Sequence, residues 1–498
     1  MSGSTDASVA GRPPRVIVVG AGMAGIAAAV KLREAGFDDL VVYEKADRLG
    51  GTWRDNSYPG VACDVPSHLY SYSFAPNANW SHTFASGPEI CAYLERVAVE
   101  QGVHEDIVFG TEVTSLDRRD GLWHLRTADG RFDEGEVVIA ATGVLHHPKY
   151  PDIEGLDGFG GPVFHSARWD HDVELRGSRL GVVGTGSSAV QITSAVVNVV
   201  AELRLFQRTA QWILPMPNHE VSAEDRQRYR RDPSLMRSLR EELTQSFSAN
   251  FSDVVIDAES EGIKRIEELC RAHLDERVID PELRARLLPH YRAACKRLVI
   301  SPDFYDAIQA PNARLVTERI VRVEPQGVRT ADGRLHPLDV LVLATGFRVD
   351  RFVRPIRVRG RDGIDLERVW AERPEAYLSV SVPGFPNLFL LNGPNGPVGN
   401  FSLIDVAEIQ LDFIIRLLQP VLTGEVREVS ARAESAERFE AERVAACART
   451  IWMSGCRSWY LDDRGVPAAW PWTMDRFRDV MAEPDPADFE FAAARSTP

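Results

Sequence analysis

The chain carries the same punctuation twice. An apolar, β-branched run, Val16-Ile17-Val18-Val19, passes straight into Gly20-Ala21-Gly22-Met23-Ala24-Gly25, and Leu180-Gly181-Val182-Val183 passes into Gly184-Thr185-Gly186-Ser187-Ser188-Ala189. A short continuous apolar run reads as a strand buried on both faces, the kind found in parallel sheets. In such a turn the first glycine permits a tight bend, the second lets backbone approach a pyrophosphate, and the third lets a helix pack close to the strand. Helix-compatible residues follow each turn, over 26–35 with Gly36 as cap, and from Val190 onward. The helix N-terminus then offers free N–H groups and partial positive charge to phosphates. A second apolar run closes each unit, Leu40-Val41-Val42-Tyr43 and Leu203-Arg204-Leu205-Phe206. The repeated order of strand, turn, helix and strand predicts an α/β fold with two Rossmann-like dinucleotide-binding units.

The residue after each second strand tells the units apart. Glu44 stands twenty-four positions after Gly20, and Arg208 stands twenty-four after Gly184. A carboxylate there accepts from ribose hydroxyls and repels a phosphate, whereas an arginine favours the 2′-phosphate of NADP. The second unit therefore reads as an NADPH site, with Gly184, Gly186, Ser187 and Ser188 at the turn and Arg208 at the phosphate. The first, with Gly20, Gly22, Gly25 and Glu44, reads as the FAD site, because a nicotinamide is already provided elsewhere. Two near-copies, Val137-Val138-Ile139-Ala140-Ala141-Thr142-Gly143 and Val340-Leu341-Val342-Leu343-Ala344-Thr345-Gly346, read as buried strands that return the chain to a nucleotide unit.

Composition bounds the remainder. With 498 residues, 44% of them hydrophobic, the chain is long enough for roughly three domain-sized units, or two large ones, with a real core. A net charge of −15 provides no field to draw in a polyanion, so no nucleic acid is expected as partner. Residues 403–422 are the most apolar long stretch, but Asp405, Glu408, Asp412 and Arg416 interrupt it, which predicts an amphipathic or buried helix and no membrane span. Residues 1–14 are small and polar, lack a signal-peptide core, and read as a disordered tail on a cytoplasmic protein. Six cysteines without C-x-x-C spacing are expected to be reduced thiols and form no zinc site. His146 and His147 have no further ligands spaced nearby, so no metal is expected. Between 217 and 297 acids and bases alternate around aliphatics such as Ile263, Ile266 and Leu269, the spacing of helices. The expected layout is an FAD domain from 15–148 and 350–498, an NADP domain from 149–216 and 298–349, and a helical insertion over 217–297.

Two further motifs narrow the reading. Gly50-Gly51-Thr52-Trp53 followed by Tyr58-Pro59-Gly60 and Asp64 spells G-G-x-W-x(4)-Y-P-G-x(3)-D, and Phe159, Gly161, His165, Trp169 and Asp170 spell F-x-G-x(3)-H-x(3)-W-D between the two glycine turns. Together these resemble the type I Baeyer–Villiger monooxygenases of the flavin monooxygenase superfamily, over nearly the whole chain from Val16 to about Thr473. The resemblance implies an enzyme that uses FAD, NADPH and O2 to convert a ketone to an ester or lactone through a C4a-peroxyflavin. It also implies a catalytic arginine at Arg297, held by Asp64, in a segment that reads Cys295-Lys296-Arg297 before Asp303-Phe304-Tyr305. The resemblance further implies that Lys296 and Thr209 join Arg208 at the NADP phosphate, that Gly51, Thr52, Trp53 and Asp64 join the cofactor site, and that Trp459 marks a mobile segment that helps fold the nicotinamide side over the substrate. His165 is given a positioning role and no proton transfer. After Trp459 the sequence Leu461-Asp462-Asp463-Arg464-Gly465 departs from the family's small-ketone members and leaves the substrate class open. The alternative within the superfamily is an N- or S-oxygenating enzyme, which needs no anion-stabilising arginine. A pyridine-nucleotide disulfide reductase needs a closely spaced redox cysteine pair, which the sequence lacks.

Overall fold

The computed structural model describes residues 12–397 and 401–493. Most of the expected N-terminal tail, residues 1–11, lies outside the described residues.

Two five-stranded parallel sheets organise the molecule. In the first, the order is Leu388–Leu390, Val137–Ala140, Val16–Val19, Leu40–Tyr43 and Ile107–Val108. In the second it is Ala313–Val316, Glu202–Phe206, Arg179–Val183, Val340–Leu343 and Val163–His165. The sheets repeat one plan. The strand before each glycine turn lies between its βαβ partner and the strand that ends in A-T-G, with Val19 beside Tyr43 and Ala140, and Val183 beside Phe206 and Leu343. Connections leave the central strand in opposite directions, which opens a crevice beyond the carboxyl ends of the strands. Val16–Val19, Leu40–Tyr43, Val137–Ala140 and Val340–Leu343 are buried throughout, as both-face coverage by helices requires.

Both glycine-turn helices begin earlier than their apolar runs suggested, at Met23 and Ser187. The final residues of each turn already form the first helical turn. The stretch over 223–287 forms four α-helices, Ala223–Arg231, Ser234–Phe247, Glu261–Arg277 and Pro281–Leu287, with a π-helical turn at Ser248–Ser252. The apolar stretch forms a 20-residue helix, Leu403–Leu422, started by the Ser402 hydroxyl accepting from the Asp405 N–H. It packs against the first glycine-turn helix as part of the largest core cluster. Among the described residues no helix is long and apolar enough to cross a membrane.

One expectation is overturned. Cys295 and Cys456 are joined by a disulfide across a sequence separation of 161 residues, while Cys63, Cys91, Cys270 and Cys447 are free. Spacing rules detect pairs close in sequence, and this pair is brought together only by tertiary packing.

Candidate active site

In the first crevice the backbone does the shaping. A Cβ on Gly25 would stand 1.8 Å from the Gly20 carbonyl oxygen, so only glycine lets the helix Met23–Glu34 start this close to its strand. Gly22 brings no side-chain cap to that helix, which leaves N–H groups of its first turn for an anion. Across from it lies Gly51, whose added Cβ would sit 3.1 Å from the Gly22 Cα. The Gly50 N–H donates to the Ala21 carbonyl at 3.0 Å and holds this second loop in place. Two bare stretches of backbone thus face each other, a cradle that suits a pyrophosphate and that a side chain would fill. Thr52 and Trp53 open the short helix Thr52–Asp55 behind it, and the Trp53 indole N–H donates to the Tyr70 hydroxyl at 3.1 Å.

Glu44 is buried beside the same turn. One carboxylate oxygen accepts from the Ala21 N–H at 2.9 Å; the other accepts from the Ala46 N–H and the Arg54 guanidinium, both at 3.0 Å. A carboxylate oxygen has two lone pairs, so these bonds leave acceptor capacity for ribose. Arg54 escaped the sequence reading, because nothing in its spacing marks it as the partner of Glu44.

The second crevice is built alike. Gly186 precedes the helix Ser187–Val196 without a side-chain cap, and a Cβ placed on it would meet nothing within 4 Å. That open face suits a phosphate. Arg208 is exposed just past the strand Glu202–Phe206, and the Thr209 carbonyl accepts from the Thr185 hydroxyl at 2.8 Å. The Lys296 pKa is lowered by burial and by the nearby charge of Arg208, which brings two cations to one place. Its ammonium lies 4.7 Å from the Tyr291 ring centroid. A pair of cations beside a glycine-turn helix fits a 2′-phosphate, whose charge would relieve their repulsion.

Arg297 and Asp64 meet although 233 positions apart. The guanidinium donates from Nε at 3.1 Å to one Asp64 oxygen, and its Nη2 lies 2.7 Å from the same oxygen as an ion pair. Both side chains are only about a quarter exposed, 26% and 27%. Burial opposes the Arg297 charge, but the Asp64 carboxylate outweighs it and the guanidinium pKa lies above its ordinary value. Cys63 is buried next door with its thiol pKa raised, first by burial and then by Asp64, so it stays protonated and inert. Tyr460 is buried near the pair, and burial pushes its phenol up to about 12. Trp459 stacks on Tyr460 with ring centroids 4.0 Å apart and is 42% exposed.

The loop that carries Asp64 also touches the second unit. The Tyr58 hydroxyl donates to Gln191 at 2.8 Å and accepts from Ser188 at 3.0 Å, both on the second glycine-turn helix. A Cβ on Gly60 would stand 2.7 Å from the Gln191 carbonyl oxygen. The Y-P-G motif is therefore a contact between the two nucleotide units, a role its spacing did not disclose.

The F-x-G-x(3)-H-x(3)-W-D stretch contributes the edge strand Val163–His165 of the second sheet, followed by a 3-10 turn over Ser166–Arg168. Gly161 lies against the Asp339 carbonyl, where a Cβ would come within 2.1 Å, and Phe159 borders the core beneath that sheet. His165 is fully buried, and its Nδ1 accepts from the Ala167 N–H at 3.1 Å. Burial lowers its pKa to about 4, so the ring is neutral at pH 7. Trp169 packs edge-on against Phe164, and Asp170 is exposed, accepting from the Asp172 N–H. The motif residues do not converge on the Arg297–Asp64 pair in a single cluster; they brace the edge of the second unit.

Two glycine-turn crevices, one marked by a carboxylate and one by cations, with a charged pair near the loop that joins them, define an oxidoreductase of the double-dinucleotide class. Residues 17–254 match the family model described as pyridine nucleotide-disulphide oxidoreductase. The chain is 45% identical over 492 residues to an uncharacterized monooxygenase of Mycobacterium tuberculosis, covering 98% of both. It is 38% identical over 488 residues to a Baeyer–Villiger monooxygenase of Streptomyces coelicolor, covering 96% of this chain and 92% of the relative. Cyclohexanone monooxygenase from Rhodococcus sp. Phi1, solved with NADP+, superimposes with a TM-score of 0.86 at 30% identity, covering 97% of this chain and 99% of that one. The chain belongs to the Baeyer–Villiger monooxygenase family.

Proposed function

We infer that this protein is an FAD- and NADPH-dependent Baeyer–Villiger monooxygenase that uses O2 to convert a ketone to an ester or lactone. The observation that carries this reading is the Arg297–Asp64 pair, a permanently charged guanidinium held by a carboxylate between two dinucleotide crevices. The residues of the first crevice would hold FAD, which would supply the oxygen chemistry, and those of the second would hold NADPH, which would supply the hydride. Gly22 and Gly51 make room for the first cofactor's phosphates, with Glu44 at its ribose. Gly186, Ser187 and Ser188 would receive those of the second, with Arg208, Lys296 and Thr209 holding the 2′-phosphate.

Arg297 keeps its proton at every accessible pH. It would offset negative charge on the attacking oxygen and on the carbonyl oxygen of the ketone, in a partly dehydrated place where such charge–charge contacts are strong. Asp64 orients the guanidinium and offsets the cost of burying it. Trp459 and Tyr460 would close the nicotinamide side and exclude water. Oxygenation of soft N or S centres needs no held anion, so the Arg297–Asp64 pair argues against the N- or S-oxygenating alternative.

Arg297→Ala is the direct test. The variant is expected to bind both cofactors and consume NADPH, releasing hydrogen peroxide, but to form no ester by product mass across linear, cyclic and polycyclic ketones. Normal ester yield would remove Arg297 from the reaction.

A further inference from the structure

The disulfide joins two segments that the reaction would use together. Cys295 lies two positions before Arg297, and Cys456 lies three before Trp459. Around the bond, Ala293, Ala294 and Leu298 pack with Ile451, Trp452 and Tyr460 in one apolar cluster. The far end of the same C-terminal loop has a different anchor. Arg443 is fully buried, pairs with Glu440 through Nε at 2.7 Å, and donates to the carbonyls of Pro467 and Ala469. The Ala468 N–H then returns to the Tyr460 carbonyl at 2.7 Å. Between these anchors Arg457, Trp459, Asp463 and Arg464 are exposed. At its near end the disulfide is the one covalent connection to the segment of Arg297.

We propose that Cys295 and Cys456 are positioning residues: their disulfide is a redox-controlled tether that holds Trp459 and Tyr460 against the Arg297 segment. The proposal rests on the reading of Arg297 given above. Joining the thiols removes two electrons and two protons, which hydrogen peroxide accepts to become two waters. A flavin oxygenase itself releases that oxidant whenever oxygen fails to reach a substrate. A dithiol reverses the step by exchange, forming its own disulfide and leaving two cysteine thiols. Both cysteines are buried, Cys456 at 7% exposed and Cys295 at 0%, so Cys456 is the less covered of the two and is flanked by exposed Gly455 and Arg457. In a thiol-rich compartment a pair of this kind is transient and regulatory. Peroxide leakage would thus tighten the loop that limits further leakage.

The test uses full-length, FAD-loaded protein in three states: peroxide-treated, dithiol-reduced, and reduced then reoxidised. Mass after alkylation should show four free cysteines in the oxidised form and six in the reduced form. Reduction should speed tryptic cleavage after Arg457 by on the order of tenfold, the effect of freeing one end of a loop. It should also raise KM for NADPH and the peroxide released per NADPH more than it changes kcat, and reoxidation should restore all three. Cys456→Ser should behave as the reduced enzyme in every buffer. If two thiols titrate while cleavage and peroxide yield stay constant, or if peroxide never joins the pair, the tether is overturned. Faster cleavage on reduction with no ester in any state would instead overturn the role given to Arg297 and leave the tether standing.

Discussion

Asp64 offers the sharpest probe of the central pair. Arg297 reaches a single Asp64 oxygen with two nitrogens, Nε in a hydrogen bond at 3.1 Å and Nη2 in an ion pair at 2.7 Å, and both side chains are about a quarter exposed. Removing one partner of a fully buried pair costs about 3–5 kcal/mol, whereas a surface pair is worth about 0–1 kcal/mol. Partial exposure puts the interaction lost in Asp64→Ala at about 2–3 kcal/mol; carried wholly by the transition state, where Arg297 meets the developing charge, that loss sets the expected fall in ester formation at roughly 30- to 150-fold, at 1.36 kcal/mol per tenfold. Asp64→Asn keeps an acceptor but gives up the charge, which is about half the strength of the bond, so a roughly tenfold fall is expected. The assay is rapid mixing with O2 of anaerobically reduced, NADP+-loaded enzyme in the presence of ketone, with ester quantified by mass spectrometry and the anaerobic reduction rate recorded separately. Reduction by NADPH should be unchanged, because Asp64 contacts the guanidinium and not the cations at the phosphate. Wild-type ester formation in Asp64→Ala, or a loss confined to the reduction step, would refute the claim that Asp64 acts through Arg297.

Arg208→Ala together with Lys296→Ala should raise KM for NADPH on the order of 100-fold while leaving KM for NADH nearly constant, since the 2′-phosphate is what the two cations bind; an equal rise for both would place the phosphate elsewhere. His165 tests an acid linkage. Its folded pKa, about 4, is depressed from 6.5, so its contribution to stability is complete above about 6.5 and is lost as pH falls toward 4, with His68 and His146 acting in the same sense. His165→Asn keeps an acceptor for the Ala167 N–H and should remove up to about 3 kcal/mol of that loss; urea unfolding between pH 4.5 and 8 reads it, and superimposable acid limbs would dismiss His165 as a contributor.

The two nucleotide units were legible because their signals are local. Gly20, Gly22 and Gly25 answer to one turn, and Val16–Val19 announces its burial by composition alone. Glu44 and Arg208 were legible as chemical opposites at equal offsets. The Arg297–Asp64 pair was legible only through resemblance, since no periodicity links residues 233 positions apart. What escaped is tertiary in origin. Arg54 reaches Glu44 through a loop fold, Tyr58 and Gly60 meet the second helix across a unit boundary, and Cys295 finds Cys456 because a C-terminal loop lies over it. The helix starts at Met23 and Ser187 were placed late because glycine and serine carry no apolar signal, although a helix whose first N–H groups are meant for phosphate begins with such residues.

The placement of Leu388–Leu390 beside Val137–Ala140 has a consequence for how the molecule comes to exist. All five strands of the second sheet have been synthesised by residue 343, while the first sheet still waits for its last member. The later-encoded unit can therefore close before the earlier one. The nascent N-terminal half must keep the open flank of Val137–Ala140 from pairing wrongly until residue 390 has been translated.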